Sequence, residues 1–422
     1  MRIKVDVEQV RIGMYVAALD RPWLESPFLF QGFVVETEED LESLRSYCNY
    51  VFIDDVKSRD NDEVRRLMSE TGVTADASKS RDRQTAERIR QGSIESFREN
   101  LRSATQSFRK STDGVIRFFN DMRLGKSIET EDAKVVISEL ITTISSNVNT
   151  ALWLTNLRNQ HEATASHCLN VSILALAFAR HLGYPHAELE EVGMGALLHD
   201  LGIARVPNNV LNKPGNLTEE EFEIVKKHPR DGFNVLKLTR EIPQGALDIV
   251  LRHHERVNGS GYPEGLKGED IREAVRVVAI ADMYDSMTSE RVYRKAMTPQ
   301  DALTAMHKRA EADFGKRLME EFIKCVGIYP IGSLVLLTSG ALGVVVSSNP
   351  EARLKPLILL VRDDQGRDVM PRKLVNLATL AEGRGAPDWA ISRVVNPADY
   401  GVDISAIAAE EMRVPEVARE AT

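Results

Sequence analysis

The chain reads as mainly α, with a helical domain at its centre, a small α+β domain before it and a small β extension after it. Three observations predict this. Between residues 129 and 330, apolar residues recur at spacings of three and four, the period of a helix with one buried face. Before residue 57, short alternating runs are punctuated by Gly13 and Gly32, as strands and turns would be. After residue 331, runs of Val, Leu and Ile are separated by glycine, Asn-Pro and Asp-Asp-Gln-Gly turns.

In chain order, Val5-Asp6-Val7 alternates, residues 38–47 read as a short helix with Leu41 and Leu44 on one face, and Val51-Phe52-Ile53 is an apolar strand core. Together these make a domain over 1–73. Residues 74–88 are polar and aperiodic, a linker. A broken stripe of Ile94, Phe97, Leu101, Phe108, Val115 and Phe118 follows, so 74–128 reads as linker and connecting helices. The stretch 86–125 offers a surface for a homodimer. A helix opens at Thr130 with Glu131 and Asp132 favourable to its dipole, and it buries Ile137, Leu140, Ile141, Ile144 and Val148. Further helices are expected at 164–182, 187–201, 219–238, 243–256, 273–288 and 299–314. Strands follow around Leu334-Val335-Leu336-Leu337, Gly343-Val344-Val345-Val346 and Leu357-Ile358-Leu359-Leu360-Val361, giving a β extension over 331–380. Residues 381–422 are expected as a partly ordered tail.

Bulk properties narrow the function. With 43% apolar and 28% charged residues, the chain has the composition of an ordinary globular protein. A net charge of −9 argues against a nucleic-acid polymer as partner, and it requires local cations for any anionic ligand. Cys48, Cys168 and Cys325 form no CxxC pair, as in a reducing compartment. No signal peptide is recognisable at Met1. The longest apolar run, around Ile173, is far short of the ~20 residues that span a bilayer. A cytoplasmic protein with no membrane insertion is expected.

The chemistry lies in histidines and aspartates. His199-Asp200 ends a helix whose buried face is Leu189, Val192, Ala196 and Leu197, with Gly202 as a stop. Alone, such a pair is weak, since a surface histidine beside a solvated acid looks the same. His228-Pro229 ends a basic run, where a histidine that caps a helix C-terminus is the plainer reading. His253-His254 follows the apolar Ile249-Val250-Leu251 and is harder to explain by packing. Asp282 ends a nearly continuous apolar helix, a costly place for an unpaired carboxylate, and Asp285 shares its face. His167 faces inward with Val171 and Leu174. Alone it would be a satisfied core histidine. Jointly, imidazoles and carboxylates in this number suit divalent transition metals and a metal-dependent hydrolase.

The order His167, His199-Asp200, His228-Pro229, His253-His254-Glu255, Gly259-Ser260-Gly261-Tyr262-Pro263 and Asp282 resembles the HD-GYP family, bacterial cyclic di-GMP phosphodiesterases within the HD hydrolases. Val210-Leu211-Asn212-Lys213-Pro214-Gly215 and the stretch from Asp282 to Thr288 also look like the family. The start of the chain resembles a domain of unknown function often found before HD-GYP domains.

The resemblance implies an all-helical HD fold that holds iron or manganese. His199, Asp200 and Asp282 would hold one ion; Asp200 as bridge, His228, His253 and His254 would hold a second, and His167 would complete the site near the first or bind a third. It implies cyclic di-GMP as ligand, cut to pGpG and in some members onward to GMP, by a hydroxide held between two ions. Asp200 and Asp285 are the expected catalytic carboxylates, with Asp285 a candidate to protonate the leaving oxygen. Tyr262, Gly261, Arg291 and Arg294 would contact substrate. Two positions depart from the family. Ala163 stands where some members carry a glutamate for a third ion, so two ions are expected. Ile203 stands where a phosphate-contacting lysine is frequent, with Arg205 nearby as a substitute. That departure keeps a second class open, a weak or inactive cyclic di-GMP-binding adaptor. A hydrolase of another nucleotide is the third reading.

Overall fold

The computed structural model describes residues 2–20, 33–35, 37–54, 58, 108, 112–122, 124, 130–156, 163–213, 215–239, 241–289, 296–349, 352–378 and 389–411. The chain divides into two compact units, Met1–Arg83 and Gln84–Thr422.

Among its described residues, the first unit has a four-stranded antiparallel sheet and one α-helix. Strands β1 (Arg2–Asp6), β2 (Tyr15–Leu19), β3 (Phe33–Val34) and β4 (Tyr50–Asp54) lie in the order β1-β4-β2-β3. Alternation puts Val51 and Ile53 on the inner face with Val5 and Val16. Leu41 and Leu44 of α1 (Glu38–Tyr47) close that core. A reciprocal capping box between Thr37 and Asp40 fixes where α1 begins.

The second unit is built on helices. They are α2 (Thr130–Ser146), α3 (Val148–Leu154), α4 (Ala163–His181), α5 (His186–Leu198), α6 (Asn208–Leu211), α7 (Glu219–Val225) and α8 (His228–Leu236). They continue with α9 (Gln244–Arg252), α10 (Glu273–Thr288), α11 (Pro299–Lys308), α12 (Ala310–Asp313) and α13 (Lys316–Val326). Residues 112–122 are also helical. Helices α4 and α10 are apolar nearly all round, from Cys168 to Ala179 and from Ala274 to Ala281, and such helices belong at the centre of a bundle. They pack on one another, α4 packs on α5, and α5 on α9.

The segment expected as one helix over 219–238 is two. Pro229 cannot donate to the carbonyl of Val225, four residues back, and its ring crowds that turn. So α7 stops at Val225 and α8 restarts at His228 with the proline in its first turn. Gly202 also differs from expectation. It lies inside a 3₁₀ turn, Leu201–Arg205, where a Cβ would overlap the backbone of His228 and Gly232. Close approach, not a left-handed cap, demands glycine there.

The β extension is a five-stranded antiparallel sheet of order β8-β7-β6-β5-β9. Its strands are β5 (Leu334–Leu337), β6 (Leu342–Ser347), β7 (Leu357–Arg362), β8 (Asp368–Asn376) and β9 (Ile391–Val395), followed by α14 (Ile404–Glu411). Strand β9 lies in the segment expected as a tail; it pairs with β5 from Leu334 opposite Val395 to Leu337 opposite Ile391. Arg372 of β8 ties α14 down through Glu410. No helix among the described residues is long and apolar enough to cross a membrane.

Candidate metal centre

Seven side chains from separate elements meet at one place in the helical body. His167 comes from the second turn of α4, and Asp282 from α10. His199 caps the end of α5 with Asp200 behind it, and His253 caps the end of α9 with His254 behind it. His228 opens α8, and its ring also serves the last carbonyl of α7. Their donor atoms fall into two groups, Asp200-His228-His253-His254 and His167-His199-Asp282, with atoms of each group within 4.8 Å of one another.

Helix ends orient three of the imidazoles by one device. The last carbonyls of a helix lack an intrahelical partner. His199 Nδ1 donates to the carbonyl of Ala196 at 2.7 Å, and His253 Nδ1 to that of Val250 at 3.0 Å. His228 Nδ1 donates at 2.8 Å to the carbonyl of Val225, the one that Pro229 cannot serve. Each ring is thereby fixed in the tautomer whose Nε2 lone pair points inward, the arrangement that metal-binding histidines need.

Asp200 stands between the groups and turns one oxygen to each. Its Oδ1 lies 3.1 Å from His228 Nε2 and 3.9 Å from His253 Nε2. Its Oδ2 lies 3.6 Å from His199 Nε2 and 3.9 Å from His167 Nε2. A carboxylate so placed can serve two cations at once.

The donor set fits divalent ions. His199 Nε2 is buried without a hydrogen-bond partner, although buried nitrogens are rarely left so. Burial pushes His253 and His254 well below the ordinary imidazole value, and neighbouring imidazoles push the same way, so both stay neutral and free to ligate. Burial opposes ionisation of Asp200, but the His199 and His228 rings outweigh it and hold the carboxylate well below its usual range. Asp282 is held at about 2, again against burial, by the hydrogen bond from His167 and the ring of His199. Cys168 also lies near His199 and Asp200, yet burial and the Asp200 charge push its thiol up and keep it protonated, which disfavours ligation.

His167 is held differently. Its Nδ1 is 2.7 Å from Asp285 Oδ2 and its Nε2 is 3.1 Å from Asp282 Oδ1. Asp285, expected as a proton donor to the leaving oxygen, is only 4% exposed. Its other oxygen accepts from Asn170 Nδ2 at 3.1 Å. One oxygen is engaged by His167 and the other by Asn170, which places the carboxylate to orient that ring. Asn170 in turn donates to the carbonyl of Thr155, a brace that sequence reading missed.

The Gly-Tyr-Pro loop lies against the histidine pair. Tyr262 packs on the His254 ring, with centroids 4.7 Å apart and planes 33° apart. A Cβ on Gly261 would overlap the backbone of His254, Glu255 and Arg256, so only glycine lets the loop lie this close. Glu255, given no role from sequence, is 1% exposed and clamps the loop. Its carboxylate accepts from the amides of Glu264, Gly265 and Leu266 at 2.7, 3.1 and 3.0 Å. Ile203 lies in the 3₁₀ turn after Asp200, and Arg205 at its end is exposed. Arg291, Arg294 and most of the 86–125 stretch lie outside the described residues, which include 108, 112–122 and 124 of that stretch. Side chains of His254 and Asp200 remain 20% and 17% exposed while His199 and His253 are sealed, so access is from the side of the loop.

Comparison with known proteins gives the family. The HD domain family matches residues 148–318, a domain of unknown function matches 2–133, and a KOW domain associated with HD domains matches 334–401. A cyclic di-GMP phosphodiesterase of Pseudomonas aeruginosa is 34% identical over 89% of this chain and 88% of its own length. The cyclic di-GMP phosphodiesterase response regulator RpfG of Xanthomonas campestris is 40% identical over 38% of this chain and 43% of its own. A 3′3′-cGAMP-specific phosphodiesterase of Vibrio cholerae is 32% identical over 39% of this chain and 33% of its own.

Proposed function

This chain belongs to the HD-GYP family of phosphodiesterases, and on that premise we propose that it hydrolyses cyclic di-GMP to the linear pGpG at a centre of two divalent ions, iron or manganese. The observation that carries the proposal is Asp200, one oxygen towards each donor group, with imidazole Nε2 atoms arrayed on either side. His199, Asp200, Asp282 and His167 would hold one ion, and Asp200, His228, His253 and His254 the other. Ala163, at the first position of α4, offers no donor for a third. Bound ions supply Lewis acidity, polarising water and the phosphodiester oxygens.

The chain's own residues set up the rest. Carbonyls at three helix ends hold the imidazoles in register, and Asp285 keeps His167 aimed at Asp282. Tyr262 and Gly261 bring a ring and an approachable backbone to the open side, where a guanine and a phosphate would lie. Arg291 and Arg294, three apart in the sequence, are proposed as further phosphate contacts.

The test is incubation of the metal-loaded full chain with cyclic di-GMP and chromatographic separation of products. A pGpG peak that grows with time supports the proposal, and GMP following it marks a second cut. Tight binding without product favours the adaptor, for which Ile203 is the supporting residue. Cleavage of 3′3′-cGAMP in preference to cyclic di-GMP would reassign the substrate.

A further inference from the structure

We propose that Phe222 and Lys226 form, with Tyr262, a subsite that grips a nucleobase and its adjoining phosphate beside the metal centre; this rests on the cyclic dinucleotide substrate proposed above. Phe222 lies on α7 and Lys226 is the residue that caps it, four apart and so on one face. The capping box between Thr218 and Glu221 fixes the start of that short helix. Phe222 meets Tyr262 edge-on, with centroids 6.3 Å apart and planes at 83°. Lys226 Nζ sits 4.9 Å from the Phe222 centroid and 5.9 Å from that of Tyr262. Tyr262 is itself stacked on His254, so the cluster adjoins the proposed ligands.

Three observations make this more than a surface contact. Phe222 keeps 44% of its surface in solvent although an aromatic neighbour already packs on it. A half-exposed ring beside a metal centre is a stacking platform, and stacking on aromatic rings is how proteins hold unpaired bases. The chain carries −9 overall, so an anionic substrate needs a local cation at the site. Arg256, next to the histidine pair, spends Nη1 on the carbonyls of His253 and Glu255 and lies over Phe314. Lys226 supplies the local charge. Its present partner, Glu223 Oε1 at 2.6 Å, is 65% exposed, and such a surface pair is weak enough to exchange for phosphate.

Initial rates of the metal-loaded full chain across cyclic di-GMP concentrations, with bound metal assayed in parallel, test this. Phe222→Ala is expected to raise KM about tenfold with wild-type metal content, as loss of one stacked base would. Phe222→Trp should restore KM. Lys226→Ala should raise KM and weaken its dependence on salt. KM within about twofold of wild type in both alanine variants overturns the subsite, as does loss of bound metal in Phe222→Ala, since that marks a structural role. Unsubstituted protein that neither binds nor cleaves cyclic di-GMP overturns the substrate assignment, and the subsite with it; this outcome is read before any variant is made.

Discussion

His228 Nε2 and His253 Nε2 face one another at 3.3 Å, and both rings have already committed Nδ1 to a backbone carbonyl. Two lone pairs so opposed in a buried place repel unless a proton or a cation lies between them. His253 is pushed well below the ordinary imidazole range by burial and its neighbours, while the bond to Asp200 raises His228 against burial, so in the metal-free chain the proton rests on His228 and a cation must replace it. A metal ion resolves the contact. Chelation should therefore destabilise the folded chain, and a transition ion at ~100 times its Kd should add ~2.7 kcal/mol of stability. A melting temperature that ignores both chelator and added ion would count against a metal in this pocket.

Asp285→Asn separates an orienting role from a proton-donating one. As the support behind His167, the carboxylate should be worth about 10–100-fold in metal affinity or activity. The expected result is weaker metal binding, with turnover recovering as ion concentration is raised. Wild-type affinity with turnover lost at every ion concentration would instead mark Asp285 as a proton donor.

The metal-free protein should have a distinctive pH dependence. Burial opposes charge on His167, but its bonds to Asp282 and Asp285 lift it from 6.5 to about 10. A folded-state value raised in this way stabilises the protein fully below pH 6.5, and the contribution fades as pH rises through 10. Asp282, lowered from 3.8 to about 2, contributes above 3.8, and its share is lost as pH falls through 2. Metal must displace the His167 proton, so ion affinity should rise with pH between 6.5 and 10. Calorimetry in buffers of different ionisation enthalpy should detect the released proton in wild type and miss it in His167→Gln.

Glu255→Gln should loosen the Gly-Tyr-Pro loop. An amide in place of the carboxylate cannot accept from all three of the backbone amides it now serves, and hydrogen bonds to a charged group are worth ~1.5–3 kcal/mol each. The melting temperature should fall and KM should rise through displacement of Tyr262. Unchanged values for both would show that the loop is held by other contacts.

The site was largely legible in the sequence because its ligands are rare residue types in costly positions. Asp282 at the end of an apolar run and the doubled His253-His254 could not be explained by packing. Their supports were not legible. Glu255 and Asn170 act through backbone amides and carbonyls that carry no residue-type signature, and the orphan carbonyl of Val225 exists only because Pro229 follows. The break between α7 and α8 was written in that same proline and was read as a continuous helix. Helix α13 buries Leu318, Met319, Phe322, Ile323 and Val326 at regular helical spacing, a pattern open to reading and missed. Strand β9 was hidden by its surroundings: it is five residues long and pairs with a strand more than fifty residues earlier. Spacing puts Asp285 on the Asp282 face but cannot show that its two oxygens are bonded to His167 and Asn170.

The most direct measurement is elemental analysis of the folded full chain beside its Asp200→Ala variant, with circular dichroism to establish that both are folded. About two transition ions per wild-type chain are expected, with substantial loss from the variant, since its one carboxylate serves both donor groups. Folded wild-type protein that takes up no transition ion, or a variant that keeps the full complement, would contradict a shared two-ion centre.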